Sequence, residues 1–218
     1  MGNLAREPLT RERIVQAALD LAAREGIAGL SMRKLAQQLS VEAMSLYNHV
    51  SNKDDLFDGM VDAVFRQIGI PECGTDWKEA MRQRALTMRA VLLQHPWALG
   101  LLESRRHPGP ATLAHHNAVI GCLRSAGFSL AMTAHAYSLM DSYIYGFVLQ
   151  EVSFPTGFKD DTAALATAIL QPFPPGAYPH LAEFTAGHVL QPGYDYGAEF
   201  DYGLDLVLQA VNDRQAMS

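Results

Sequence analysis

Apolar residues recur at helical spacing along most of the chain. Ile14, Val15, Ala18, Leu21 and Ala22 form one stripe after Thr10, a natural N-cap. Gly26 suits the left-handed position that ends such a helix. Ser31 caps the next, with Leu30 and Leu35 at the spacing of a hydrophobic staple. Leu35, Ala36 and Leu39 supply its inner face, and a break follows at Ser40-Val41. A very short helix is predicted from about Glu42 to Asn48. Asn52 caps a fourth, striped by Leu56, Met60, Val64 and Ile68, with Asp54 and Asp55 in its first turn where the helix dipole favours them.

Pro71 to Asp76 reads as a linker, and the patterns then lengthen. Trp77 to about His95 carries Met81, Ala85, Met88 and Leu92 on one face, and Pro96 ends it. Trp97 to Glu103 is short and apolar, and 105–110 is a turn. Ala111 to Ala126 is helical and closed by Gly127, after which Ser129 caps a long helix to about Val152. Residues 153–195 hold six of the eleven prolines, which limits that stretch to loop and short helices. A last helix from about Tyr196 to Asn212 is striped by Phe200, Leu204, Leu208 and Val211. No stretch alternates with period two, so the fold class is all-α: a small three-helix N-terminal head and a larger helical body. The expected division is a head over 1–53, a connecting helix over 54–70 and a body over 71–218. Last helices this apolar are expected to bury themselves against another subunit.

Composition narrows the reading. The 218 residues include 49% hydrophobic and 18% charged, as in a folded domain and unlike a disordered chain. No apolar run approaches the ~20 residues that span a bilayer. The N-terminus lacks a signal-peptide core, so the expected compartment is the cytoplasm with both thiols, Cys73 and Cys122, reduced and inert. The net charge of −6 conceals an asymmetry. Residues 1–53 carry seven positive and five negative side chains, so a mildly basic head sits on an acidic body. Such a body repels a polyanion and orients the head towards it.

The informative stretch is Leu30 to Lys53, two short helices joined by a tight turn, which is the helix-turn-helix unit. Leu46 should point inward against Leu35 and Leu39, leaving Ala43, Met44, Ser45 and Tyr47 facing outward. Exposed Met and Tyr side by side fit a base edge and a phosphate. Lys53 begins the fourth helix, whose free N–H groups already favour an anion. Arg33, on the first exposed turn of the second helix, is placed for a phosphate or a guanine. His49 either touches a phosphate or packs the turn.

These residues carry a resemblance. Leu46-Tyr47-x-His49-Val50-x-x-Lys53-x-x-Leu56 resembles the DNA-binding head of the tetracycline repressor (TetR) family of transcriptional regulators. The likeness is strong over about residues 10–60. It continues more weakly through Gly127-Phe128-Ser129-Leu130 and 146–151. It implies a homodimer whose last two long helices form a four-helix bundle, with a small-molecule pocket enclosed by the helices before them. Position by position it implies DNA contacts at Met32, Arg33, Ala43, Met44, Ser45, Tyr47 and Lys53. The implied function is a repressor on a palindromic DNA operator, released by a small-molecule effector, with no cofactor.

Two departures matter. Ser40 stands where the family's turn usually has Gly, at a cost on the order of 1 kcal/mol for a left-handed residue with a side chain. Leu102 stands where the tetracycline repressor has a histidine completing a drug-bound magnesium site, and Arg84 and Met88 stand at its drug-binding asparagine and phenylalanine. A leucine does not ligate a hard cation, so the expected effector is apolar or aromatic and is not magnesium-tetracycline.

Candidate pocket residues are Met88, Leu92, Leu102, His116, Ile120, Tyr137, Met140, Asp141 and Ile144. A Met and aromatic stripe is equally a plain core, and only the resemblance makes it a pocket. Asp141 on an apolar helix needs a partner, either an Arg or His or a ligand group. His115 and His116 are adjacent and diverge by about 100° on a helix, so they do not share a metal ion. The expectation is one surface and one inward ring. No phosphate loop, nucleophile elbow or zinc pair points to an enzyme. A helical enzyme and an effector-independent architectural DNA-binding protein remain alternatives: an enclosed apolar cavity with a few polar groups supports the regulator, a solid core the architectural protein, and a solvent-open cleft with coupled titrating groups the enzyme.

Overall fold

The computed structural model describes residues 8–74, 76–102, 104–153, 167, 174 and 176–216. The N-terminal residues 1–7 and most of the first half of the proline-rich stretch lie outside them. Among the described residues every regular element is helical. They are α1 (Arg11–Gly29), α2 (Met32–Leu39), α3 (Ala43–Leu46), α4 (Lys53–Ile68), α5 (Trp77–Gln94), α6 (Leu99–Leu102), α7 (Pro110–Ser125), α8 (Leu130–Ser153), α9 (Pro179–Phe184) and α10 (Ala198–Ala216). No described helix is long and apolar enough to cross a membrane.

Local chemistry sets the boundaries. Thr10, Ser31 and Asn52 each accept a hydrogen bond from a backbone N–H in the first turn of α1, α2 and α4, at 3.3, 3.3 and 2.9 Å. Gly26 takes φ +70° and breaks α1 where the sequence places a stop, although three more residues follow in a short helical turn. Ser40 takes the left-handed conformation, φ 55° and ψ 45°. Its N–H and that of Val41 close the end of α2 on the carbonyls of Gln37 and Ala36, which offsets the cost of its side chain. Pro96 follows His95 and ends α5 in a single 3-10 turn.

The head packs α1, α2 and α3 around Ile14, Ala18, Leu35, Leu46 and Val50, all buried. Helix α4 joins the two parts: its start packs on α1, and its length lies on α5 and α7. Burial of Leu56, Met60, Val64 and Phe65 makes that contact. In the body α8 packs on α5, α7 and α10. Met88, Leu92, Met140 and Ile144 lie in this core with Phe200 and Leu204.

One polar contact fixes α7 on α4. Asp62 is buried and accepts from the N–H of Thr112 at 2.9 Å and from its hydroxyl at 3.2 Å. Gly109 lies so close to that carboxylate that a Cβ there would collide with it.

The expectation of two reduced, inert thiols is corrected. Cys73, exposed in the segment after α4, is disulfide-bonded to the buried Cys122 of α7, with Cα atoms 5.3 Å apart. The two are 49 residues apart and lack any paired local spacing. The segment after α4 folds back along α7, and that tertiary step brings the sulfurs together.

Candidate nucleic-acid interface and body cavities

Helix α3 is one turn long and held from behind. Leu46 and Val50 are fully buried, while Met44 is 74% and Tyr47 43% exposed on the opposite side. Ala43 and Ser45 are half-buried between them. Arg33 and Lys53 are exposed, and Met32 is half-buried at the start of α2. Lys53 lies 5.2 Å from the centre of the Phe57 ring, which positions its ammonium beside the first turn of α4.

The sequence reading missed the clamp that aims this helix. Arg11 donates to both carboxylate oxygens of Asp55, at 2.5 and 3.1 Å, and to the carbonyls of His49 and Asp55. Asp55 also accepts from the N–H of Ser51 at 2.7 Å. The Arg11 hydrogen bond holds the Asp55 carboxyl below the usual carboxylate range. One guanidinium thus ties α1 to the turn between α3 and α4. The backbone of His49, and not its ring, makes that contact. The signal in the sequence was an arginine in the first turn of α1, which by itself resembles any surface cation.

Among the described residues, two cavities of the body each take one of the adjacent histidines of α7 into their lining. The smaller, about 240 Å³, is lined by Leu102, His116, Tyr137, Phe65 and Thr112 among others. His116 and Tyr137 are hydrogen-bonded, Nδ1 to hydroxyl. The larger, about 500 Å³, lies between the segment after α4, α5 and α7, and is lined by Arg84 and His115. Phe65 touches both histidine rings, at 5.2 Å centre to centre. Neither ring is a plain surface group: His115 is 1% exposed and His116 half-buried.

Of the pocket candidates, the structure brings Leu102, His116 and Tyr137 to one cavity. It places Met88, Leu92, Met140 and Ile144 in the core and Ile120 on the outer face of α7, 43% exposed. Asp141 has a protein partner: it accepts from Nη2 of Arg84 at 2.5 Å, with both residues buried. Nε of the same guanidinium donates to Nε2 of His115 at 3.1 Å, and Nδ1 of His115 faces the carbonyl of Gly69 at 2.7 Å. Burial pushes His115 down to about 4, so the ring is neutral near pH 7, with its proton on Nδ1. Arg84 was legible as an anomaly, a cation within the apolar stripe of Met81, Ala85 and Met88.

Known proteins share this architecture. Residues 14–60 match the family described as bacterial regulatory proteins, tetR family, and residues 70–214 match the tetracyclin repressor-like C-terminal domain. An HTH-type transcriptional regulator of Saccharopolyspora erythraea is 38% identical over 206 residues, 93% of this chain and 84% of that protein. The HTH-type transcriptional repressor DrrR1 of Streptomyces coeruleorubidus is 31% identical, over 93% of this chain and 77% of its own. The Streptomyces coelicolor TetR family protein ActR, solved in complex with actinorhodin, superposes with a TM-score of 0.79 at 27% identity, covering 96% of this chain and 99% of that one. These relatives are regulators, which removes the enzyme alternative. Both halves of the chain match, and it belongs to the TetR family of transcriptional regulators.

Proposed function

We propose that the chain is a ligand-responsive repressor that binds a palindromic operator as a homodimer and leaves it when a small molecule occupies the body. The observation that carries this reading is the placement of α4. It begins at the turn after α3, which Asp55 of its first turns and Arg11 of α1 hold, and it packs along the cavity-bearing α5 and α7. The cavities favour a ligand-gated regulator over an architectural protein with a solid body. The complex of ActR with actinorhodin and the description of DrrR1 as a repressor support both halves of the proposal.

Met44 and Ala43 meet thymine methyls, and Tyr47, Ser45, Arg33, Met32, Lys53 and His49 hold the backbone and the neighbouring bases. The partner surface is the face of α8 and α10 that exposes Leu139, Leu149, Tyr202 and Leu206. Two heads entering successive major grooves must sit roughly 34–36 Å apart. A ligand that prefers a different spacing releases the DNA, and a tenfold release needs about 1.4 kcal/mol of differential affinity. Leu102 at the smaller cavity offers no ligand for magnesium, so magnesium-tetracycline is not the effector.

The test is operator selection from random duplex DNA, followed by footprinting and sedimentation. The expected result is a two-fold symmetric footprint bound by one dimer, with affinity falling steeply as salt rises. A monomer in solution, or a footprint without symmetry, overturns the proposal.

A further inference from the structure

The chain has two cysteines, and the structure joins them. Cys73 is exposed in the segment between α4 and α5, and Cys122 is buried on α7. Among the described residues, this bond and one hydrogen bond fasten that segment to α7. The hydrogen bond runs from Nδ1 of His115 to the carbonyl of Gly69, which closes α4. His115 and Cys122 are seven residues apart, two turns on one face of α7, or about 10 Å. Four residues of extended chain span about 13 Å, so Gly69 to Cys73 reaches from one anchor to the other. The segment runs along α7 as a short strap on the end of α4.

The strap is otherwise lightly held. Among the described residues, the one backbone bond within 70–74, from the N–H of Gly74 to the carbonyl of Glu72, stays inside the segment. Ile70 is 60% exposed, and Glu72 and Gly74 are exposed. Ile70, Pro71, Glu72 and Gly74 also line the larger cavity, so part of the inner side of the strap faces open space. The Cys73 sulfur lies 3.8 Å from the carbonyl oxygen of Ala118, one turn before Cys122. A Cys73 thiol donates weakly to that oxygen, which keeps the two sulfurs near enough to rejoin.

We propose that the Cys73–Cys122 bond is a reversible redox site, opened by low-molecular-weight thiols and closed by their disulfides, whose state sets how firmly the end of α4 is held. A small thiolate reaches the exposed sulfur of Cys73 and not the buried sulfur of Cys122. Its attack forms a mixed disulfide on Cys73, breaks the bond to Cys122, and Cys122 leaves as a thiolate that takes up a proton. A second thiolate attacks the small-molecule sulfur of the mixed disulfide and releases Cys73. Two small thiols are thereby oxidised to one disulfide, and the protein disulfide is reduced to two thiols. The reverse sequence, with the small disulfide as oxidant, closes the strap.

The effect on DNA rests on the reading above that α4 sets the spacing of two heads on an operator. A loosened α4 populates the fitting arrangement less, and apparent affinity falls by that fraction. The test equilibrates the purified full-length protein in mixtures of reduced and oxidised glutathione, then traps thiols by alkylation. The native protein should pass from closed to open across these mixtures. In Cys122→Ser, oxidised glutathione should add to Cys73, whereas in native Cys73→Ser it should leave Cys122 unmodified. Opening the bond should speed amide hydrogen exchange in 69–74 and the last turn of α4. Opened protein should bind the selected operator about fivefold more weakly, and Cys73→Ser should match it with or without reductant.

A bond that stays closed in excess reduced glutathione, that oxidised glutathione does not close, or whose opening leaves exchange at the end of α4 unchanged overturns the site. Modification of Cys122 in native Cys73→Ser overturns the assigned point of attack. Equal or tighter operator binding by the opened protein overturns the coupling to DNA. A chain that binds no duplex in either form fails the regulator reading, while the glutathione titration and the exchange rates still decide the site.

Discussion

Nδ1 of His115 donates to the carbonyl of Gly69 at 2.7 Å, so a wall of the larger cavity directly holds the end of the helix that carries the head. This bond requires a neutral ring with its proton on Nδ1, because Nε2 accepts from Arg84. Burial enforces the neutral state by lowering the pKa from 6.5 to about 4. The stabilisation is therefore present above pH 6.5, where the ring is neutral both folded and unfolded. It is lost as the pH falls from 6.5 towards 4, because the unfolded chain takes up the proton first. The full span corresponds to about 3 kcal/mol. Denaturant midpoints should fall across this window in the parent protein. In His115→Gln, which can donate to Gly69 and accept from Arg84 without titrating, that fall should be shallower. Identical pH profiles for the two proteins would remove His115 from the account of acid stability.

The clamp between Arg11 and Asp55 predicts an indirect effect on DNA binding. Neither side chain belongs to the proposed DNA face, yet together they fix the turn that aims α3. Both are partly exposed, so the ion pair itself is worth little. The bonds to the carbonyls of His49 and Asp55 bring the cost of Arg11→Ala to about 1–2 kcal/mol in the head. Operator affinity should drop with little change in the salt slope, since no phosphate contact is removed. A slope that falls by a full contact would instead put Arg11 on the DNA.

Tyr47 and Lys53 carry the direct prediction. Both are exposed, and neither supports the core, so the double substitution to Ala should leave the proposed dimer and the melting temperature unchanged. Operator affinity should fall by about a hundredfold or more, two contacts being lost in each of two heads. Gel-shift assays on the selected operator measure this. Undiminished binding would mean that another face meets the DNA.

The head was legible because its determinants are local. Ser31, Asn52, the Leu30–Leu35 staple and inward Leu46 act within a few residues of one another, and short-range pattern describes them fully. The break at Ser40 could be read from the residues, whereas its left-handed conformation was legible only through the resemblance, which puts a Gly in that turn. The body was less legible because its chemistry is assembled across long separations. Arg84, His115 and Asp141 come from three helices. Periodicity marks each as a polar residue on an inner face without saying which others it meets. The same stripe logic treats Met88, Met140 and Ile144 alike as core or pocket, and only packing decides that they fill the interior.

The disulfide between Cys73 and Cys122 was invisible to pattern for the same reason, and it gives the body a measurable signature. It closes a loop of 49 residues that contains all of α5 and α6 and the first part of α7. Chain-entropy reasoning gives a bond of this span roughly 2–4 kcal/mol of stability. For a protein of this size the melting temperature should rise by about 5–10 °C in the oxidised form relative to the reduced one. Alkylation followed by mass spectrometry should add no label to the unreduced, denatured protein and two after reduction. Cys73→Ser and Cys122→Ser should each melt with the reduced parent and no longer respond to reductant. Cys73 is the exposed partner, so thiols in solution reach the bond from the segment that borders the larger cavity. Two labelled cysteines without reductant, or equal melting of the two forms, would show that the chain folds and works with free thiols.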